Sequence, residues 1–314
     1  MMPKHPHPDE KKFFVSQDFL LSPEAAPVRA VAESIYPFYL RAAFKAGDKL
    51  EFNPVPVLDD RFMNSHQARW VRILAETTYA QIMMKQLKVH HTVVFFGSSQ
   101  IPETSVAEER LNEVVSSGDQ QAIKQAEKIV EFSAYYEQAR QLSARLTRWS
   151  MEVGTPDNPQ PFVVCTGGGP SMMEAGNRGA QDAGGKSLGL NIYLPHHQDS
   201  NPYISPELNF LFNYFFTRKF HFIYRAKALV VFPGGYGCLD ELFEVLNLIK
   251  CEKIVKHMVV LLYGSQFWKR VIDFDFMVES GVIHEADLRL FSYADTVEEA
   301  FEMLKDHLSG YLKK

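Results

Sequence analysis

Apolar residues change their spacing once along this chain, and abruptly. From about residue 13 to residue 90 they recur at roughly helical intervals. The clearest stretches are Pro27–Ala46 and Ser65–Leu87, the second offering Ser65 as a cap ahead of Trp70, Ile73, Leu74, Tyr79 and Met83. No strand-like alternation interrupts them, so residues 1–90 read as a free polar tail followed by a helical extension. At His91 the pattern switches. Thr92–Phe96 (TVVFF) is β-branched and aromatic and runs into Gly97, Ser98 and Ser99. Phe162–Thr166 (FVVCT) runs likewise into Gly167–Ser171 (GGGPS), and Ala228–Phe232 (ALVVF) into Pro233–Gly237 (PGGYG). Ser187–Ile192 and Met258–Tyr263 are two further short apolar runs.

Strands of this uniformly apolar kind are covered on both faces, which predicts a parallel sheet. Between them Met172–Ala183, Thr217–Arg225, Cys238–Lys250 and Val297–Leu308 have helical spacing. The alternation predicts an α/β fold, a doubly wound parallel sheet over 91–314. One connection is too long, because about 65 residues separate the first two strands where a crossover needs a dozen or more. The helical, charged stretches Val106–Val115 and Gln120–Trp149 fill it. An inserted helical segment at about 104–133 is therefore expected ahead of the crossover helix.

Composition narrows the class. The chain has 314 residues, 46% hydrophobic and 23% charged, which is ordinary for a globular protein. Thirty-three Lys and Arg against 38 Asp and Glu leave a net charge of −5, so no nucleic-acid polymer is expected as a partner. No apolar run approaches the roughly 20 residues that span a bilayer. The N-terminal MMPKHPHPDEKK lacks a signal peptide's apolar core. Cys165, Cys238 and Cys251 make neither a disulfide framework nor a metal-ligand spacing. A cytoplasmic protein without membrane contact is expected.

The candidate chemistry sits at the strand ends. Three strands close in small-residue turns, and in a doubly wound sheet these ends border the ligand crevice. Glycine lets the backbone approach a ligand, and free N–H groups at a helix start attract anions. Gly97, Ser98, Ser99, Gly168, Gly169 and the Pro233, Gly234, Gly235, Tyr236, Gly237, Cys238 turn are therefore candidate phosphate ligands. Neither glycine motif fits G-x-G-x-x-G, and Gly185–Ser187 lacks the leading glycine of a P-loop, with Ala180 in its place. Arg218 and Lys219 sit at an expected helix start, a poor place for cations unless an anion compensates them. Glu241 lies 23 residues beyond Arg218, on the expected first turn of the next helix. It is either a catalytic carboxylate or a residue favoured there by the helix dipole, and Glu174 carries the same two readings. Ser98 and Ser99 either bond a ligand or cap the next segment. Cys238 at a helix start could also be an activated nucleophile, although no histidine is placed to assist it. His196 and His197 read as loop residues, with nothing completing a metal set. Tyr135, Tyr136 and the Phe210–Phe216 aromatics read as core or subunit interface, although Phe212–Phe216 could instead line a base pocket.

Pro233–Glu241 (PGGYGCLDE) resembles the P-G-G-x-G-T-x-x-E signature of the LONELY GUY family, with Arg218 at the family's arginine and Gly167–Ala175 (GGGPSMMEA) similar to its second glycine motif. Asn177–Ala180 and Leu194–Gln198 with Asn201–Tyr203 are similar to the longer bacterial branch. The likeness covers roughly residues 91–310. It implies a Rossmann-like fold, a homodimer or larger assembly, and no metal or redox cofactor. It also implies hydrolysis of the N-glycosidic bond of a nucleoside 5′-monophosphate, AMP-like or a cytokinin ribotide. Glu241 and Arg218 would be catalytic; Glu174, Lys219 and the glycine turns would bind substrate. An older lysine decarboxylase label for the family finds no recognisable pyridoxal-phosphate site. Cys238 replaces the family's threonine and removes a hydroxyl from the phosphate turn. The alternative is a non-catalytic nucleotide sensor on the same fold, and a carrier of a phosphate-bearing cofactor would leave Glu241 without a role.

Overall fold

A computed structural model describes residues 56–195 and 199–312. The expected tail, the Pro27–Ala46 helix and the His196–His197 pair lie outside the described residues. The chain divides after Ala75 into two units. In the first, Asp59 caps a short helix, Asp60–Met63, by accepting from the backbone N–H groups of Arg61 and Phe62. Helix α1 (Arg69–Gln86) begins in that unit and ends in the second. It starts four residues beyond Ser65, whose Oγ accepts from Ala68 N (3.4 Å) in the turn before it.

The second unit, Glu76–Lys314, holds seven parallel strands. They are β1 (His91–Phe96), β2 (Phe162–Thr166), β3 (Ser187–Ile192), β4 (Asn209–Phe212), β5 (Ala226–Val231), β6 (Val259–Tyr263) and β7 (Ser292–Ala294), side by side in the order 4-3-2-1-5-6-7. This is the α/β, Rossmann-like sheet that the apolar runs predict. β4 and β7 escape the sequence pattern because they are short edge strands. Only Phe210 and Phe212 of β4 point inward, and β7 has three residues.

Each inner strand is buried on both faces, and alternation sends its side chains into two separate cores. Val94 and Phe96 of β1 join one core, with Leu229 and Val231 of β5. Val93 and Phe95 join the other, with Ala228 and Val230. The first core is closed by Ala80 and Met84 of α1, by Phe222 of α5 (Phe215–Tyr224) and by Leu242 and Val245 of α6 (Tyr236–Lys250). The second is closed by α3 (Gln120–Glu152), α4 (Met172–Asp182) and α9 (Val297–Leu312).

The long connection after β1 is α2 (Thr104–Val115) followed by α3, which Asp119 caps by accepting from Gln121 N (2.9 Å) and Ala122 N (3.2 Å). α3 runs unbroken past residue 133, so part of the expected insertion and the crossover helix are one element. Tyr136, Ala139, Leu142, Leu146 and Trp149 of α3 are spent inside the second core. Its apolar content therefore has an internal use, whereas Tyr79 and Ile82 of α1 stay exposed.

α3 and α4 meet closely at Gly179, where an added Cβ would lie 2.1 Å from Arg140 O and 2.8 Å from Ser143 Cβ. Gly179→Ala must push the two helices apart. Overpacking of this kind costs roughly 1–3 kcal/mol. A lower melting temperature with an unchanged far-ultraviolet circular dichroism spectrum is the expected outcome.

Candidate functional site

The chain leaves β1 towards β2, β3 and β4 and returns on the other side of β1 as β5, so the connections after β1 and β5 diverge at their carboxyl ends. That divergence opens a crevice. Hydrogen bonds tie its edges together. Ser98 N donates to Pro233 O (3.0 Å), Met172 N donates to Ser98 O (3.3 Å), and the Ser171 hydroxyl donates to Ser99 O (2.9 Å). The three small-residue turns thus form one rim around a cleft of about 410 Å³.

The rim contributes Gly97, Ser98, Ser99 and Gly167 to the lining. Gly235, Tyr236, Gly237 and Cys238 contribute the start of α6, and Arg218 and Glu241 also face the cleft. Other expected residues stand back from it. Pro233 supplies its carbonyl to Ser98, and Gly234 packs against the Cys238 thiol. The carbonyls of Gly168 and Gly169 accept from the Asn201 amide at 3.1 and 3.0 Å, and neither residue is in the lining. Glu174 accepts from the Tyr136 hydroxyl (2.7 Å) on the α3 side.

α6 begins two residues earlier than its apolar spacing suggests, at Tyr236, so Glu241 is its sixth residue and belongs to the second turn. The helix dipole acts mainly within the first turn, so it does not account for a carboxylate here. The first turn carries no acidic residue, and its N-cap, Gly235, has no side chain to satisfy the opening N–H groups. Cys238 N donates to Gly235 O (3.0 Å), and the N–H groups of Tyr236 and Gly237 meet no acceptor among the described residues, so these two are open to a ligand.

Glu241 is only 4% exposed. Its Oε2 accepts no hydrogen bond among the described residues and lies 3.4 Å from Lys219 Nζ. Burial pushes the carboxyl above its ordinary pKa; the charges of Lys219 and Arg218 oppose that without cancelling it. Lys219 itself binds Asp240 (2.8 Å) and Glu244 (2.6 Å) more closely. Burial works against the ammonium, yet these carboxylates hold its pKa above the usual lysine value. Lys219 therefore stands among three carboxylates, outside the cleft lining. Arg218, on the next position of α5, lies between the rings of Phe215 (5.2 Å) and Phe222 (5.5 Å), its Nε buried without a partner among the described residues. Burial lowers its pKa, and Glu241 and Asp240 raise it back.

The anions that compensate the two cations are on α6, Asp240, Glu241 and Glu244, while the start of α5 itself is held by Glu76 of α1. It accepts from Asn213 N (2.8 Å), Tyr214 N (3.3 Å) and the Thr217 hydroxyl. No local motif announces this contact, because 137 residues separate Glu76 from Asn213. Cys238 is not an activated thiol. Burial and the Glu241 charge push it up to about 12, outweighing a hydrogen bond from the Gly235 backbone. Asn191 also lines the cleft without any motif to mark it, whereas Phe215 comes from the aromatic run that could line a base pocket and does face the cleft.

A Rossmann-like α/β protein with its cleft at the switch point is the class these features define. Residues 173–304 match the family model described as possible lysine decarboxylase. The cytokinin riboside 5′-monophosphate phosphoribohydrolase LOG of Oryza sativa subsp. japonica is 34% identical over 87 residues, 27% of this chain and 36% of its own length. The probable phosphoribohydrolase LOGL3 of the same plant is 30% identical over 93 residues, 29% of this chain and 43% of its own. The chain thus spans less than half the length of these curated relatives. Among solved structures, the molybdenum cofactor carrier protein of Chlamydomonas reinhardtii aligns with 70% of this chain and 98% of its own at 14% identity, with a TM-score of 0.39. Residues 173–304 are thus similar to the possible lysine decarboxylase family model, and part of the chain to LONELY GUY phosphoribohydrolases, as the paired motifs lead one to expect.

The raised pKa of Glu241 has a stability consequence. Its native carboxyl binds a proton more tightly than the unfolded chain does, so Glu241 costs stability as pH rises from the ordinary carboxylate value through its own. Glu241→Gln should melt above the wild type at neutral pH, and the gap should close in acid. Melting curves across that range check both parts.

Proposed function

We propose that this chain hydrolyses the N-glycosidic bond of a nucleoside 5′-monophosphate, adding water to release the free base and ribose 5-phosphate. The observation that carries the reading is Glu241, a buried carboxylate facing the cleft with an oxygen that no hydrogen bond occupies among the described residues. A folded chain tolerates such a group at a cost, and sites that do so are disproportionately functional.

Cleavage develops positive charge on the ribose, and a carboxylate close by stabilises it while orienting or deprotonating the attacking water. Glycoside hydrolysis makes the same demand. Glu241 takes that role. The open N–H groups at the start of α6, those of Tyr236 and Gly237, hold the 5′-phosphate. Arg218 holds the ribose region, stiffened by the two rings that flank it. Binding energy from the unreactive phosphate then fixes the ribose against the catalytic groups. The relatives named as phosphoribohydrolases support this reading. Amino-acid decarboxylation through pyridoxal phosphate fits less well. It needs a lysine amine free to form a Schiff base. No lysine lines the cleft among the described residues, and three carboxylates hold Lys219.

Glu241→Gln keeps the shape of the side chain and removes its charge. Base release should fall by about 10²–10³, the cost of losing one such electrostatic contact, while nucleotide binding persists. Arg218→Ala should weaken both binding and turnover. Incubation with a panel of nucleoside monophosphates, following free base by chromatography and binding by calorimetry, tests the pair. Full turnover in Glu241→Gln removes the carboxylate from the mechanism. A wild type that binds monophosphates and never releases base makes the protein a sensor.

A further inference from the structure

Asn191, near the end of β3, faces the cleft but is only 8% exposed. Both hydrogens of its amide are committed, to Asn209 Oδ1 (2.6 Å) and to the backbone carbonyl of Phe210 (3.1 Å). A main-chain carbonyl cannot donate, so this pairing fixes which end of the amide is which. The Oδ1 end receives no donor among the described residues. Gly168 braces it. At φ +74° its Cα lies against the amide so closely that a Cβ there would fall 2.3 Å from Oδ1. The glycine that reads as a phosphate ligand in the sequence instead makes room for Asn191.

Glu241 and the open start of α6 belong to the β5 side of the cleft, and Arg218 reaches it from α5, which packs against β3 and β4. At the β2 and β3 ends the lining beside Asn191 includes the apolar Met173, Ile192 and Leu194. β3 stands three strands from β5 in the sheet, about 14 Å at the usual strand spacing. A ligand whose phosphate sits at α6 presents its far end here. Apolar walls suit the faces of a nucleobase, and a fixed carbonyl oxygen suits a donor on its edge.

Resting on the hydrolase reading for the placement of the ligand, we infer that Asn191 is a specificity-determining residue: its Oδ1 accepts a hydrogen bond from the exocyclic amino group of the base. Bases bearing an amino group at that edge are favoured over those bearing an oxo group, because two acceptors then face each other unpaired. One N–H is enough, so a singly alkylated amino group still qualifies.

AMP and IMP differ along this edge, a 6-amino group beside an unprotonated N1 in AMP against a 6-oxo group beside an N1–H in IMP, and supply the test. Calorimetric titration of the full chain should give AMP a dissociation constant about 10-fold below that of IMP, the worth of one neutral hydrogen bond. Asn191→Leu should weaken AMP to the level of IMP while leaving IMP binding near wild type, and the loss of its bonds to Asn209 and Phe210 should lower the melting temperature. If leucine is not tolerated, Asn191→Ala removes the same acceptor without added bulk. Equal affinities in the wild type, an undiminished preference in the variants, or equal weakening of both nucleotides would overturn the assignment. Discrimination in binding with no release of base from either nucleotide would overturn the hydrolase reading and leave Asn191 in its role. Failure of both nucleotides to bind would overturn the two together.

Discussion

Everything at the cleft depends on the place where the sheet reverses its direction of growth. β1 lies between β2 and β5, so the chain leaves it on one side and comes back on the other. No crossover covers the carboxyl ends of these two strands. The hydrogen bonds from Ser98 to Pro233 and from Ser171 to Ser99 then lock the edges of the gap, giving a fixed rim rather than three independent loops. A rim held by main-chain bonds places the opening N–H groups of α6 without help from side-chain capping.

Charge is arranged around that rim in layers. Glu76 accepts from the backbone donors of Asn213 and Tyr214 just ahead of α5, and the carboxylates of α6 face the Arg218 and Lys219 that α5 carries. Lys219 reaches across to α6 and is gripped by Asp240 and Glu244, exposed more than itself and strongly paired. Glu241, the most buried of the three carboxylates near Lys219, has the longest contact with it and keeps one oxygen without a hydrogen bond. The lysine thus sets a positive field behind Glu241 without consuming it. A buried charge left in this state costs free energy that the two cores on either side of the sheet must offset.

Within residues 91–314 the apolar runs and glycine turns already specify the parallel sheet, and the spacing of Arg218 and Glu241 already marks the pair that faces the cleft. Such features are legible because they are local. A strand buried on both faces has to be apolar throughout, and a tight strand-to-helix turn has to use small residues. The short edge strands β4 and β7 lack that constraint, since an edge needs few inward side chains; β7 has three residues, and the Phe210–Phe216 aromatics that include β4 read as core or interface rather than as a strand.

What only the tertiary structure decides are contacts between residues far apart in the chain. Glu76 at the start of α5 and Asn201 beneath Gly168 and Gly169 are examples. So is the amide of Asn191, oriented by a neighbouring strand that does not read as one in the sequence. The start of α6 at Tyr236 is a smaller case with a larger consequence, because two residues move Glu241 from a turn that explains it to one that does not. Sequence reports the demands each segment places on its own side chains. Which distant group meets a demand, and which group is left unmet at a cleft, follows from how the segments pack.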